Sequence, residues 1–185
     1  MNHRTLAGAA ALAAVAALPS TALAEERSCR GTLSAITVDN LRVPDGGRCE
    51  LKGTRVQGTI KVERGATLIA RGVRVIGNVQ GENARHISVN TRSRVGGSVQ
   101  VKQGGSATVS TSTVAGDIQY DENTAALKVS GTRVGGSIQI VKNLGGVKVA
   151  NNVVDGNLQC KENDPAPIGG GNIVHGNKED QCRAL

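Results

Sequence analysis

The amino-acid sequence predicts an all-β protein, a right-handed single-stranded parallel β-helix with coils of about 20 residues. Three observations carry that expectation. Glycine returns at 58, 77, 97, 116, 136, 156 and 176 within one motif, Val-x-Gly-x-(Val/Ile/Leu)-x, so the spacing is always 19 or 20 residues. A second strip of alternating apolar residues lies between successive copies. The 185 residues include no Phe, no Trp and a single Tyr, so Val, Ile, Leu and Ala must fill the interior in thin, regular layers.

The motif runs from Val56-Gln57-Gly58-Thr59-Ile60-Lys61-Val62 to Val154-Asp155-Gly156-Asn157-Leu158-Gln159-Cys160, with Val174-His175-Gly176-Asn177-Lys178 as a degenerate last copy. The second strip pairs Cys49 with Leu51, Leu68 with Ala70, Ile87 with Val89, Ala107 with Val109, Leu127 with Val129, and Val147 with Val149. Period-two alternation makes each strip a strand with one inward face, hence two strands per repeat. Turns rich in Gly, Asn, Ser and Thr separate them. After the N-terminal segment no apolar period of 3.6 survives, which argues against helices. Disorder is the competing reading of a Gly-rich chain, and the β-branched periodicity argues against it. An antiparallel sandwich needs no fixed period, whereas a solenoid does, and parallel β connections are right-handed.

Seven or eight coils, each about 4.8 Å high, would stack into a rod roughly 35 Å long. Gly31 to Val43 reads as an irregular first coil, and the regular coils span about 49–178. The motif glycine points inward on this alternation and is expected where the interior is too narrow for a side chain.

The N-terminus has the three parts of a secretory signal peptide. Arg4 lies in a basic start, an Ala- and Leu-rich run extends to Leu18, and small residues end at Ala24. Cleavage is expected after Ala24, leaving residues 25–185 as one domain. Removal takes one of the 22 basic side chains and no acid, so those 161 residues carry a net charge of +6. The apolar run is shorter than the roughly 20 residues a membrane span needs. The expected location is therefore secreted or periplasmic.

Four cysteines in an exported chain favour two disulfides, with three connectivities open in principle. Cys49 and Cys160 fall on inward positions of the first and last regular coils, with Cys29 just upstream and Cys182 just downstream. Cys29–Cys49 and Cys160–Cys182 are the expected pairs, one at each end. Such ties would cap the exposed strand edges of a solenoid. No C-x-x-C pair or ligand-spaced His suggests zinc, and neither a metal nor a cofactor is expected.

The repeated Val-x-Gly-Asn/Ser-Val/Ile-Gln pattern, with Leu158-Gln159-Cys160 and Gly176-Asn177-Lys178 before Cys182, resembles small secreted bacterial right-handed β-helix proteins of uncharacterised function. These carry a cysteine near each end of the array. More distantly, the Gly-Asp/Ser-Ile strands resemble bactofilin coils. That likeness implies end-to-end polymerisation, and with it a self-assembling structural subunit as one reading. Pectin-active β-helix enzymes are similar in repeat style, which makes a minimal carbohydrate-active enzyme another.

The enzyme reading needs acids that converge. Asp117 and Asp155 lie two coils apart, roughly 12 Å from strand spacings, wider than either carboxylate separation used in glycoside hydrolysis. Asp155 and His175 occupy the same position of successive coils, so their side chains can meet. A His–carboxylate pair can orient a base or a metal ligand, but no nucleophile accompanies it. Asp155, His175 and Asp117 are thus the candidates should the chain be catalytic, and no catalytic residue is expected otherwise.

Two ladders suggest binding instead. Gln80, Gln100, Gln119, Gln139 and Gln159 stack on the outer face beside Asn78, Ser98, Asp117, Ser137 and Asn157. Amide ladders stabilise stacked parallel strands, and they also offer a flat polar face for sugar hydroxyls. Arg55, Arg74, Arg94 and Arg133 each precede a motif Val, forming a column of guanidinium groups. Such a column suits an extended anion, since guanidinium binds carboxylate and phosphate bidentately; it also suits a solvated edge whose stems cover apolar turns. The expected function is a non-catalytic module that binds acidic polysaccharide or other envelope material, as a monomer or weak end-to-end oligomer. Nucleic acid is not an expected partner, because stacking aromatics are missing.

Overall fold

A computed structural model describes residues 25–185; the signal peptide expected over 1–24 lies outside them. The chain winds into a parallel β-solenoid of eight turns with three sheets, not the two strands per repeat expected above. Sheet A has nine strands, from Glu26–Ser28 to Lys178–Asp180. Sheet B has eight, from Gly31–Ser34 to Ile168–Gly170, and sheet C eight, from Thr37–Val38 to Ile173–Val174. Every pairing is between equivalent strands of successive coils, and all are parallel.

The extra strand comes from the motif itself. Its first half, such as Arg74–Val75, lies on sheet C, and its second half, Val79–Glu82, lies on sheet A. The glycine is the corner between them. Period-two alternation continues through that corner, so the bend leaves no break in the apolar pattern. The expectation that the glycine points into a narrow interior is therefore corrected. These glycines are only half-buried or exposed, and they yield space to the corner of the preceding coil. A Cβ on Gly77 would lie 2.7 Å from both the Gly58 carbonyl oxygen and Thr59 Oγ1.

Five inward columns make the core. Sheet A supplies Leu41-Ile60-Val79-Val99-Ile118-Ile138-Leu158 and Val43-Val62-Gly81-Val101-Tyr120-Ile140-Cys160. Sheet B supplies a Cys49-to-Val147 column and a Leu51-to-Val149 column, and sheet C supplies one valine per coil. Nearly all are fully buried. Each Val, Ile or Leu so buried contributes about 1.5–3 kcal/mol. Where Gly81 interrupts its column, the Ile87 side chain fills the space a Cβ would take. Tyr120 is the largest core side chain; its hydroxyl donates to the Lys128 carbonyl at 3.4 Å, and burial raises its pKa.

Polar ladders line the corners, because buried backbone N–H groups there need acceptors. At the corner from sheet C to sheet A, the side chains of Asn40, Thr59, Asn78, Ser98, Asp117, Ser137 and Asn157 each accept the N–H of the next coil's equivalent residue. At the corner from A to B, Asn123, Asn143 and Asn163 are buried and hydrogen-bond one above another. Asn152 and Asn172 repeat the device between B and C. The B-to-C corner also turns through a positive φ in each coil, at Gly53, Gly72, Thr111, Gly131 and Asn151 among others.

Gly31 to Val43 is shorter than later coils, yet its strands pair in register with the next. The disulfides are Cys29–Cys49, with Cα atoms 5.6 Å apart, and Cys160–Cys182, 5.2 Å apart. Each closes a loop of about 20 residues, adding on the order of 3 kcal/mol in the chain-entropy account. The terminal coils also replace apolar inward residues with charge. Arg27 sits above Leu41, and Lys178 and Asp180 sit beyond Leu158 and Cys160. Among the described residues no helix is long and apolar enough to cross a membrane.

Candidate functional site

Sheet C carries the arginine column. Its pairing runs Arg55, Arg74, Arg94, Thr113, Arg133, Val153, with all four arginines exposed. Successive members stand about 4.8 Å apart along the rod. Like charges so placed are mildly unfavourable to the fold. Among the described residues Arg55, Arg74 and Arg94 have no carboxylate within ion-pair range, whereas Arg133 does. Its Nη2 donates to both oxygens of Asp155, at 2.9 and 3.1 Å.

Asp155 also meets His175, whose Nδ1 lies 3.1 Å from Oδ1. The pair expected from coil register therefore forms, but its carboxylate is shared with Arg133. No serine or cysteine joins it in these contacts. Asp117, the third acid of the enzyme reading, stands elsewhere, at the corner between sheets C and A. Its Oδ1 accepts the Ser137 N–H at 2.7 Å, as the other members of that ladder do. Among the described residues no three His, Cys, Asp or Glu side chains gather as metal ligands would.

Beside the arginine column lies a groove of about 390 Å³ between sheet C and the B-to-C corner. Arg92, Arg94 and Arg133 are its only charged lining residues, with Thr111, Thr113 and Thr132 between them. The next outward positions on this face are Gly96, Ala115 and Gly135, so the surface beside the arginines is low. Sequence reasoning missed Arg92. Its signal was the Thr91-Arg92 pair, both at positive φ where the coils on either side have one such residue, Gly72 and Thr111.

Sheet A carries the glutamines. Gln80 Nε2 donates to Gln100 Oε1 at 2.9 Å, Gln100 to Gln119 at 2.8 Å, and Gln119 to Gln139 at 3.1 Å. Gln159 stands in register with Gln139 at the end of the column. The face is not flat, as expected, but concave. Gln80, Gln100 and Gln119 lie in a groove of about 980 Å³ that also touches Lys61, Glu82, Lys102 and Asp121. The concavity arises because the next outward column, with Glu82, Lys102 and Asp121 in register, rises beside the glutamines toward the A-to-B corner. The neighbouring Asn78, Ser98, Ser137 and Asn157 are turned to the corner ladder.

Sheet B offers one perturbed group. His86 is half-buried with its Nδ1 2.7 Å from Ser106 Oγ. Burial, and secondly the charge of Arg48 two coils away in the same column, lower its pKa. No family model, curated protein or solved structure matches this chain.

Proposed function

We propose that this chain is a non-catalytic binding rod whose arginine column holds an extended anionic polymer, of the class of acidic polysaccharides, in the cell envelope or outside the cell. The groove beside Arg94 and Arg133 carries the reading: every charged residue that lines it is an arginine. Arg55, Arg74 and Arg94 occupy three successive coils, about 4.8 Å apart, close to the length of one sugar unit in an extended glycan, and Arg133 follows two coils beyond Arg94. Each guanidinium can hold a carboxylate through two parallel hydrogen bonds. Two disulfides are compatible with an extracellular or periplasmic location. Asp155 fits the binding reading, because its carboxylate is shared between Arg133 and His175.

The test is retention of the oxidised protein on polygalacturonate and on neutral dextran, with soluble products analysed in parallel. Retention on polygalacturonate alone is expected, falling as salt rises. Joint replacement of Arg55, Arg74, Arg94 and Arg133 by Gln should abolish it. Salt-insensitive retention, or cleavage products that vanish in His175→Ala, would overturn the proposal.

A further inference from the structure

We propose that the sheet A groove is a second, independent binding site, one for an extended neutral glycan bearing hydroxyl or acetamido groups. Its chemistry differs from that of the arginine face. Three basic and four acidic side chains line it, so it offers no net attraction to a polyanion. Aromatic stacking cannot operate there, because the chain's one aromatic residue, Tyr120, is buried in the core. Recognition must therefore run through hydrogen bonds.

The floor is built for that. An amide has two N–H donors and an oxygen with two lone pairs. Along the ladder, Gln100 and Gln119 each spend one donor and one lone pair on their neighbours. Each keeps one donor and one lone pair for a ligand. The mutual bonds also hold these half-buried side chains in a single arrangement, so little rotamer freedom remains to be lost on binding. Donor and acceptor thus recur together at every coil, which matches sugar hydroxyls and acetamido groups, both of which donate and accept. The groove spans the coils from Lys61 to Gln119, three steps or roughly 14 Å, room for about three sugar units lying along the rod. With an acidic polymer on sheet C and a neutral one on sheet A, the rod would tie two kinds of chain together.

The experiment follows the glutamine side-chain amide signals of the ¹⁵N-labelled, oxidised protein during titration with chitohexaose and with cellohexaose. Salt of about 0.5 M screens the exposed arginines. Saturable shifts of the Gln80, Gln100 and Gln119 amides are expected with at least one of the two. The joint Gln100→Leu and Gln119→Leu change should weaken binding at least tenfold. Gln119→Glu, which still accepts from Gln100 but cannot donate, should weaken it several-fold with the thermal midpoint little changed. The fourfold Arg→Gln protein should bind as the parent does, so this site and the arginine reading stand or fall separately. Absence of saturable shifts with both hexasaccharides at millimolar concentration, shifts confined to sheet C, or full affinity in Gln119→Glu would each overturn the proposal.

Discussion

Replacing Asn143 by Leu tests whether the buried asparagine ladder holds the coils together. Asn143 is fully buried and makes five side-chain hydrogen bonds. Its Oδ1 accepts the Asn123 N–H at 2.9 Å and the Asn123 Nδ2 at 3.0 Å. Its Nδ2 donates to the carbonyls of Tyr120 and Val141 and to Asn163 Oδ1, at 2.9–3.0 Å. Leu fills similar volume but returns none of these. Asn123 Nδ2 keeps the Val101 carbonyl, and Asn163 Oδ1 keeps the Asn143 N–H, so those groups are only weakened. The backbone N–H of Asn123 is left without its acceptor in a buried corner, which costs about 1–3 kcal/mol, and each further net bond lost costs about 1 kcal/mol. A loss of about 3–5 kcal/mol follows, a large part of the 5–15 kcal/mol typical of a domain. Equilibrium urea denaturation with the disulfides intact measures it, alongside hydrogen exchange at the Asn123 amide. The exposed corner change Asn151→Gly serves as control. A loss below about 1 kcal/mol, or unchanged protection of the Asn123 amide, would refute the reasoning.

Thr111→Gly should stabilise the protein by about 0.5–1 kcal/mol, read from a thermal melt, because a β-branched residue sits at φ 46° where the next coil places Gly131 and the coil two before places Gly72. Asp155→Asn should release Arg133 and strengthen retention on polygalacturonate a few-fold, in line with about 0.2–1 kcal/mol for an exposed pair; titration calorimetry measures it. His86 has a folded pKa below its unfolded value of 6.5, so its contribution is present above that value and is lost as pH falls through the folded pKa. Melts between neutral and mildly acidic pH should show that loss in the parent and a flatter profile in His86→Gln.

Parallel stacking has a direct reading in sequence, since a constant repeat places equivalent residues one above another. On that basis the cysteine pairs, the arginine and glutamine columns, and the contact of Asp155 with His175 were all legible. Other features were not. The split of the motif into strands of sheets C and A is invisible because apolar alternation crosses the glycine corner unbroken. Asn123, Asn143 and Asn163 occupy only three successive coils, too short a run to stand out from ordinary turn asparagines. Asp117 looked like an outward acid until its corner placed Oδ1 on the Ser137 N–H.

What the sequence by itself determined was therefore the coil, its period and the membership of each column, because these depend on spacing along the chain alone. Only the tertiary structure decided which way the corners turn. Corner geometry swings Asp155 across to Arg133, two residues out of strand register, so it divides the arginine column into free and neutralised members. It likewise raises one column beside the glutamines and makes a groove of a face that alternation alone would draw flat. Such directions follow from backbone torsions and packing between coils, and residue spacing carries no record of them.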